Sequence, residues 1–173
     1  MDVFEAIQGR RSVRKYQTKE MSEELITKLL SAAIMAPSAG NRQAWEFIIA
    51  RDLKTKKALA QAAYDQVFIA NAPVVIIVCA NQKRSAQRYG SRGVELYCIQ
   101  DSAAAIQNLL LMAYSLGLGT CWVGAFNESM VSKLLEIPEG IRPVALIPVG
   151  YTAQVSHPPP RLPLEKVIHQ NQY

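Results

Sequence analysis

Four cations and one hydroxyl group stand within six residues near the start of the chain, at Arg10, Arg11, Ser12, Arg14 and Lys15. The arginine guanidinium is a planar fork of donors that matches the geometry of phosphate oxygens. Three such groups beside a serine hydroxyl could hold a terminal phosphate. For this segment alone, the ordinary alternative is a solvated basic surface, because most charge runs are no more than that.

Three later segments offer groups that could contact the rest of such a ligand. Residues 36–45 are dense in small and amide residues, which bring hydrogen bonds close to a flat polar molecule, although a helix stop followed by a turn would use the same residues. The glycines of residues 117–126 permit close backbone approach but lack the strand-then-helix context of a dinucleotide-binding fingerprint, so we reject a Rossmann assignment. Arg161 is a lone cation in a proline-rich tail and by itself is typical of a surface residue.

The composition indicates a core-forming chain with a localised excess of positive charge. At 173 residues, 50% of them hydrophobic, the chain has the length of one domain and enough apolar residues for a sizeable core. Much of the net charge of +5 lies near the start, which favours a local anion site over a nucleic-acid surface. Asp2 and Glu5 precede the arginines, unlike a signal peptide, and no apolar run approaches membrane-spanning length. We therefore expect a cytoplasmic protein that binds neither nucleic acid nor membrane.

The cysteines, Cys79, Cys98 and Cys121, are odd in number and show no CxxC spacing. Cys79 and Cys121 lie inside apolar runs. We expect all three to be reduced residues of the packed interior, so the sequence indicates neither a metal site nor a disulfide framework.

Helices and strands alternate along the chain, and they must position the segments that carry chemistry. Ser22 can cap a helix whose apolar residues recur with helical spacing, and Asp52 can cap a second helix that reaches about Tyr64. An alternating strand begins at Trp45. The run VVIIVCA after Pro73 is apolar throughout, which predicts a strand buried on both faces and a sheet covered by helices on both sides.

The second half of the chain predicts the longest helix and an unusual tail. The helix, over residues 94–116, is apolar nearly all round and is therefore buried, either in the domain or in a subunit interface. A strand over 120–126, a short helix after Asn127 and a last strand over 144–149 follow. The tail then becomes stiff and proline-rich, with one short helix over 164–169, and such a tail usually lies on another surface, for example a partner subunit.

In their order and separations, these segments resemble the nitroreductase family of FMN-dependent oxidoreductases. The resemblance spans nearly the whole chain, through the motifs RRSVRKY, APSAGNRQAWEF, NAPVVIIV, GLGTCWVGAF, IPEG, VALIPVGY and PPPRLPLEKVIH. It implies an α+β fold in which a mixed sheet is flanked by helices. It further implies a homodimer with FMN sites at the subunit interface, built from a single domain over residues 1–173 whose extended tail, residues 151–173, wraps the partner subunit.

The same resemblance implies a set of flavin ligands. Arg10, Arg11 and Ser12 would hold the phosphate and the ribityl chain, and Arg161 would join them. Arg14 would lie near the pyrimidine end of the isoalloxazine, where a cation stabilises the N1 anion of reduced flavin and so tunes its reactivity. The remaining ligands would come from a loop of the other subunit and from a segment that passes flavin N5: Pro37, Ser38, Ala39 and Asn41, and Val123, Gly124 and Ala125.

The chain departs from the family pattern at two points. Well-studied members often place a lysine near the flavin pyrimidine, but residues 64–71 contain neither lysine nor arginine, and Gln66 is the best polar substitute. The segment after GLGTC lacks the acidic residue of some members and has Val123, Gly124 and Ala125 instead. The preference between NADH and NADPH, or the redox potential, could differ accordingly.

The resemblance implies ping-pong transfer of hydride from NADH or NADPH to flavin N5, and then to a small electron-poor acceptor such as a nitroaromatic or a quinone. No side chain is needed as a general acid or a nucleophile, and His157 and His169 in the tail are expected at the surface. Residues 84–97 are expected to form the substrate wall. There, Tyr89 and Tyr97 would either stack on an aromatic acceptor or only cover the core.

Other functions stay open at the level of the sequence. By resemblance, the same scaffold also supports reductive dehalogenation and oxygen-dependent fragmentation of the flavin, although those relatives use lid segments for which only residues 82–93 offer room. A non-enzymatic FMN carrier would bind flavin without being reduced by NAD(P)H. If the basic start bound nucleic acid instead, Arg10→Ala would weaken oligonucleotide binding in a salt-dependent way and leave the flavin content unchanged.

Overall fold

The computed structural model describes residues 1–154 and 158–173, so that His157 lies outside the described residues. The helices in this part of the chain are α1 (Val3–Gly9), α2 (Glu23–Ala33), α3 (Leu53–Ala62), α4 (Phe68–Asn71), α5 (Gln82–Arg92), α6 (Cys98–Ser115) and α7 (Glu128–Leu134). The strands are β1 (Trp45–Ala50), β2 (Val74–Asn81), β3 (Leu118–Thr120) and β4 (Ile141–Tyr151). Shorter helical segments are a π-helix at Gly93–Tyr97 and 3-10 turns at Ala39–Asn41 and Leu164–Lys166.

The named strands form one sheet in the order β1-β2-β4-β3. Helices pack on it, so the predicted α+β class is confirmed. The sheet differs from the prediction in one respect, because β2 pairs antiparallel with both of its neighbours and β3 pairs antiparallel with β4. Among the described residues, the parallel component of the expected mixed sheet is one isolated bridge, between Ser12 and Thr120.

β2 is buried on both faces and separates two hydrophobic clusters. Alternate side chains beginning at Val74 pack in the cluster that contains residues of α2 and α6. The intervening side chains, beginning at Val75, pack in the cluster that contains residues of α3 and α7. Side chains of a strand alternate between its two faces, so an uninterrupted apolar run is stable only where both faces are covered. The predicted cover on both sides is confirmed.

The predicted helix starts are confirmed by their caps. Ser22, Asp52 and Asn127 precede α2, α3 and α7, and each side chain accepts a hydrogen bond from the N–H three residues further on, at 3.3, 2.8 and 2.9 Å. The long helix differs, because Gly93–Tyr97 is π-helical and α6 begins only at Cys98. No helix in the described part of the chain is long and apolar enough to cross a membrane.

The predicted strand over residues 120–126 is mostly irregular. β3 ends at Thr120, and beyond it Val123 pairs with β4 only as an isolated bridge. Pro148 of β4 explains the break. Its carbonyl accepts the Cys121 N–H at 3.3 Å, but proline has no N–H with which to return the bond. Strand β4, in contrast, is longer than the predicted strand over residues 144–149.

The tail is exposed over residues 158–173, whereas Tyr151 and Gln154 near its start are half-buried. Every residue of 158–173 is exposed, and the predicted helix over 164–169 is reduced to the 3-10 turn Leu164–Lys166. Leu162 and Leu164 keep 71% and 70% of their surface accessible. The tail therefore carries apolar side chains that this chain alone does not bury.

Candidate functional site

α1 ends beside the first two arginines and fixes their position. Its first turn is closed by a reciprocal capping box between Asp2 and Glu5. At its other end, the Arg10 N–H donates back into the last turn at 3.0 Å. The Arg11 guanidinium donates to the carbonyls of Gln8 and Arg10. Both arginines are thus half-buried at a helix C-terminus, where the carbonyl dipoles favour cations.

The residues that follow run along the edge of the sheet. The Val13 N–H donates to the Thr120 carbonyl at 2.8 Å, and the Gln17 N–H donates to the end of β4 at 2.9 Å. The Tyr16 hydroxyl lies 2.6 Å from the Val13 carbonyl oxygen, and burial raises the pKa of this phenol. Backbone hydrogen bonds on both sides of Arg14 therefore hold the cationic segment against β3 and β4.

Arg161 returns from the tail to the first two arginines, and we call Arg10, Arg11 and Arg161 the arginine cluster. The cluster lines a cavity of about 600 Å³ together with Gln107 of α6. The Nε atoms of Arg10 and Arg11 are buried without a hydrogen-bond partner among the described residues. Among the described residues, no carboxylate forms an ion pair with any of the three arginines. Buried donors without acceptors are unfavourable, so the lining of the cavity favours an anionic ligand.

The electrostatics of the arginine cluster also favour an anion. Burial, then the positive charges of Arg161 and Arg11, lower the pKa of Arg10. A phosphate group would offset this mutual repulsion and would supply acceptors for the two unpaired Nε atoms. The cluster therefore fits the phosphate end of FMN, the cofactor that the sequence resemblance implies.

A second cavity, of about 240 Å³, extends from Arg10 and Arg11 to the end of α6. Tyr114 lines it and lies so close to Gly9 that a Cβ at Gly9 would overlap the phenol ring. Neither Tyr114 nor Gln107 was predicted from the sequence. The available signal was their spacing, because two polar groups seven residues apart lie on one face of an otherwise largely apolar helix.

Arg14, Gln66 and Ala125 meet around the start of α4. The Arg14 guanidinium carbon lies 5.7 Å from the centroid of the Phe68 ring. Gln66 Nε2 donates to the carbonyls of Ala63 and Ala125, at 2.9 and 3.2 Å. The structure thus brings together three of the predicted site residues, although the Gln66 amide N–H groups are committed to the backbone.

Two of the three residues predicted after β3 present open backbone. Gly124 and Ala125 are exposed. Val123 is 4% exposed, bridges to Leu146 and packs in the core cluster on that face of the sheet. The Val123 side chain therefore belongs to the interior, and this segment offers a ligand mainly its main chain.

Ser12 lies beside Cys121, where β3 ends. The positive charge of Arg14, the Ser12 hydroxyl and the positive charge of Arg10 each favour the thiolate. Burial outweighs all three contacts and raises the pKa of Cys121. The thiol is therefore a neutral packing group, in line with the prediction for the three cysteines, which are buried and unbridged.

Within the predicted segment of residues 36–45, the loop over residues 37–43 contains three residues in the left-handed region. The φ angle is +53° at Gly40, +53° at Asn41 and +50° at Gln43. Glycine enters this region freely and asparagine tolerates it, whereas Gln43 is held there against its preference. The Ser38 hydroxyl accepts the Gln43 N–H at 2.9 Å and closes the loop, leaving Asn41 exposed.

Asp101 of α6 anchors the middle of this loop. Its Oδ1 accepts the Ala39 N–H at 2.9 Å. Oδ2 is buried without a partner among the described residues, and Asp101 is only 4% exposed. Burial raises the pKa of this carboxyl, although the Ala39 N–H opposes the shift. Asp101 was not predicted, but a lone acid before an alanine-rich helical run was a usable signal.

The loop lies apart from the arginine cluster. No loop residue lines either of the two cavities at the cluster. Instead, Gly40 lies against Arg88 and Tyr89 of α5, while Pro37 is exposed beyond the end of α2. One chain therefore supplies two separate groups of predicted ligands.

The described histidine, His169, lies at the surface of the tail. His169 is exposed and stacks on Tyr173, with ring centroids 4.3 Å apart, as predicted for a surface residue. Within residues 1–154 and 158–173, no group of His, Cys, Asp and Glu side chains is placed to hold a metal ion.

Comparison with known proteins gives matches over most of the chain. The model of the nitroreductase family matches residues 7–70 and 64–151. A relative from Methanothermobacter thermautotrophicus is 39% identical over 158 residues, 89% of this chain and 79% of the relative. An FMN reductase (NAD(P)H) of Bacillus subtilis is 30% identical over an alignment of 185 positions, which covers 99% of this chain and 74% of the relative. The structure of NADPH:FMN oxidoreductase from Vibrio harveyi, complexed with NAD+, has a TM-score of 0.91 at 28% identity and covers 99% of this chain and 77% of that protein.

Proposed function

Because the chain belongs to the nitroreductase family, we propose that it is an oxidoreductase that uses FMN and NAD(P)H. Hydride would come from NADH or NADPH and would pass to a small electron-poor acceptor such as a nitroaromatic or a quinone. FMN supplies the hydride-accepting and hydride-donating centre when it is bound. The names of the Bacillus subtilis and Vibrio harveyi relatives, an FMN reductase and an NADPH:FMN oxidoreductase, support this proposal.

The arginine cluster carries the proposal. Its guanidinium groups surround a cavity to which the described residues contribute no counter-charge, and two of them keep a buried Nε unpaired. A phosphate ester would supply the missing acceptors, whereas a neutral ligand would leave the charges uncompensated. We assign Arg10, Arg11 and Arg161 to the FMN phosphate, and Ser12 to the phosphate or the adjoining ribityl hydroxyl groups.

We assign Arg14, Gln66 and residues 123–125 to the ring system. Arg14 has no ion-pair partner among the described residues, so its charge is available where negative charge develops during the reaction. Gln66 holds the exposed main chain of Ala125 in place. The protein would thus position the cofactor and place charge beside it, while the Cys121 thiol, whose pKa is raised by burial, stays protonated.

We further assign the ligand groups to two subunits of a homodimer. The loop that contains Pro37, Ser38, Ala39 and Asn41 does not line the cavities of its own arginine cluster, so the loop of a partner would complete the site. Apolar surface supports such an assembly, since Val3 and Phe4 of α1 are 74% and 65% exposed. Each chain would contribute one domain. Residues 158–173 of its tail would wrap the partner, whereas Tyr151 ends β4 and Thr152 and Ala153 pair with Tyr16 and Lys15 of the same chain.

The two substrates would react in a ping-pong order. NAD(P)H and the acceptor must both reach the same hydride-transferring centre, so the oxidised nucleotide leaves before the acceptor enters. The exposed main chain at Gly124 and Ala125 leaves room on that side of the site. No side chain has to act as an acid or a nucleophile in this scheme.

Visible spectroscopy tests the proposed function. Purified protein incubated with FMN is expected to stay yellow after gel filtration. Anaerobic addition of NADPH or NADH should bleach the absorbance, and a quinone or nitroaromatic should restore it. A protein that cannot be loaded with FMN would overturn the proposal. A loaded protein that neither nucleotide bleaches would be a flavin carrier, and the assignment as an enzyme would be wrong.

A further inference from the structure

Two arginines and two tyrosines next to the loop have no role in the function proposed so far. They are Arg88 and Tyr89 of α5, Arg92 at its end and Tyr97 of the π-helix, and we call them the arginine-tyrosine cluster. The two tyrosine rings meet edge to face, with centroids 5.0 Å apart and an interplanar angle of 88°. The guanidinium carbons of Arg88 and Arg92 lie 5.6 and 5.2 Å from the centroids of Tyr89 and Tyr97. Two cations thus flank one aromatic pair.

The charges of Arg88 and Arg92 are uncompensated in the described part of the chain, where neither forms an ion pair. Arg84 on the same helix behaves differently, because it pairs with Glu46 of β1 at 2.5 Å. Glu95, the single acid in α5 and the π-helix, makes no ion pair with either arginine. Arg84 therefore fastens α5 to the sheet. Arg92 Nε donates to the Tyr97 hydroxyl at 2.8 Å, a neutral partner, so the charges of Arg88 and Arg92 stay available to an anionic ligand.

The backbone around the arginine-tyrosine cluster departs from regular helix at two points. Gly90 has φ +54° and ψ −137°, a conformation that only glycine adopts readily, and a Cβ there would meet no atom within 4 Å. The π-helix Gly93–Tyr97 follows, and such insertions in helices are frequent at functional sites. The kink and the π-helix together bring Tyr89 into contact with Tyr97, eight residues further along the chain.

The arginine-tyrosine cluster adjoins the loop assigned to FMN. A Cβ on Gly40 would overlap the Tyr89 hydroxyl and would lie 3.1 Å from the guanidinium carbon of Arg88. Arg42 ties the loop to α5 by donating to the Arg84 carbonyl at 3.2 Å. An acceptor bound beside this loop would therefore meet aromatic rings and uncompensated positive charge at the same time.

We propose that the arginine-tyrosine cluster selects acceptors that carry an anionic group on an aromatic ring, such as nitroaromatic carboxylates or sulfonates. This selection rests on the proposed function and adds a substrate class to it. Tyr89 and Tyr97 would contact the aromatic ring, and Arg88 and Arg92 would bind the anionic oxygens. The extra phosphate of NADPH is also anionic, so the experiment separates the acceptor from the nucleotide.

The experiment compares acceptors of similar size, 4-nitrobenzoate and the neutral 4-nitrobenzamide. In the double variant Arg88→Gln and Arg92→Gln, the ratio of kcat/KM for the anionic over the neutral acceptor should fall about tenfold at low salt, because two contacts with a charged group are lost. Replacing both arginines by lysine should retain most of the ratio. The control Lys57→Gln, which removes an exposed charge of α3, should leave the ratio unchanged.

Binding of unreactive analogues gives a readout that does not depend on turnover. Isothermal titration calorimetry of the FMN-loaded protein should show benzoate binding about tenfold more weakly in the double variant, with benzamide unaffected. The decisive case is a variant that still binds FMN and is bleached by NAD(P)H. If its ratio is unchanged, or if both acceptors lose equally, the proposed selection of anions is overturned while the proposed function stands. A loss confined to bleaching by NADPH would assign the arginines to the nucleotide and would also overturn this selection. Wild-type protein that cannot be loaded with FMN would overturn the proposed function itself.

Discussion

The cationic segment over residues 10–17 and the loop over residues 37–43 are held in place by different forces. Main-chain hydrogen bonds fix the first, such as that from the Val13 N–H to the edge of the sheet at 2.8 Å. Side chains shape the second, through Asp101 and Ser38, and the loop contains two residues other than glycine in the left-handed region. A sheet edge can therefore place charge rigidly, whereas the loop depends on side-chain contacts and on left-handed backbone for its shape. We therefore expect the largest losses of FMN affinity from variants of the cationic segment, and smaller losses from variants of the loop.

The largest expected effect is the loss of FMN affinity in variants of the cationic segment. The double variant Arg10→Ala and Arg11→Ala should lower FMN affinity about 100-fold or more at low salt, because two charge-assisted contacts with phosphate are lost at about 1.5–3 kcal/mol each. Quenching of FMN fluorescence on binding measures the dissociation constant. The matched control Lys54→Gln with Lys57→Gln removes the same charge from exposed positions of α3 and should change the affinity little. A loss below tenfold would contradict the assignment of the arginine cluster.

The next effect compares Gly119 of β3, which packs against Val13 of the cationic segment, with Gly40 of the loop. A Cβ at Gly119 would lie 2.7 Å from Val13 Cγ1, and both residues are buried, so Gly119→Ala should lower the free energy of unfolding by about 2 kcal/mol. Gly40→Ala meets the movable ends of Tyr89 and Arg88 at a φ of +53°, and should cost about 1 kcal/mol. Denaturant unfolding measures both values. The opposite ranking would show that the loop, and not the sheet edge, is the more rigidly packed region.

A smaller expected effect tests whether each FMN site is built from one subunit or from two. Asn41→Ala should lower FMN affinity about five- to tenfold, the worth of one hydrogen bond, without loss of fold. Mixed dimers of this variant with the Arg10→Ala and Arg11→Ala chain make the test sharper. If each site combines the arginine cluster of one chain with the loop of the other, a mixed dimer contains one undamaged site. Titration should then find half of the sites with wild-type affinity, whereas sites built within one chain would all be impaired.

The smallest effect concerns the anchor of the loop. Asp101→Asn keeps an oxygen that can accept the Ala39 N–H but removes the carboxyl group that titrates. Burial raises the pKa of the Asp101 carboxyl, so this group contributes stability below its unfolded pKa of about 4, and the contribution is lost as the pH rises through the folded pKa. The Tm of the variant minus that of the wild type should therefore become more positive between about pH 3 and about pH 7.

Asp52 provides a control of opposite sign for that measurement. The Thr55 N–H lowers the pKa of the Asp52 carboxyl, which contributes stability above its unfolded pKa and loses it as the pH falls through the folded pKa. For Asp52→Asn, the same Tm difference should become more negative as the pH rises. Parallel trends in the two variants would contradict the assignment of the Asp101 shift to burial.

Local features of the site were predictable from the sequence. Arg10, Arg11 and Arg14 are neighbours along the chain, so their residue types alone indicated an anion site. Gln107 and Asp101 were missed because each acts on a segment far away in sequence, the tail in one case and the loop in the other. The irregular course after β3 was missed as well, because it depends on a proline in a different strand.

The helix caps, the burial of both faces of β2, the cationic segment and the family could be predicted from the residues alone, because each is a property of neighbouring residues or of their order. Three contacts became evident only in the folded chain: Arg161 lies near Arg10, Asp101 holds the loop, and the loop lies against α5 and away from the arginine cluster. Such contacts join segments distant in the chain. Their geometry follows from the packing of helices on the sheet, which no local pattern specifies.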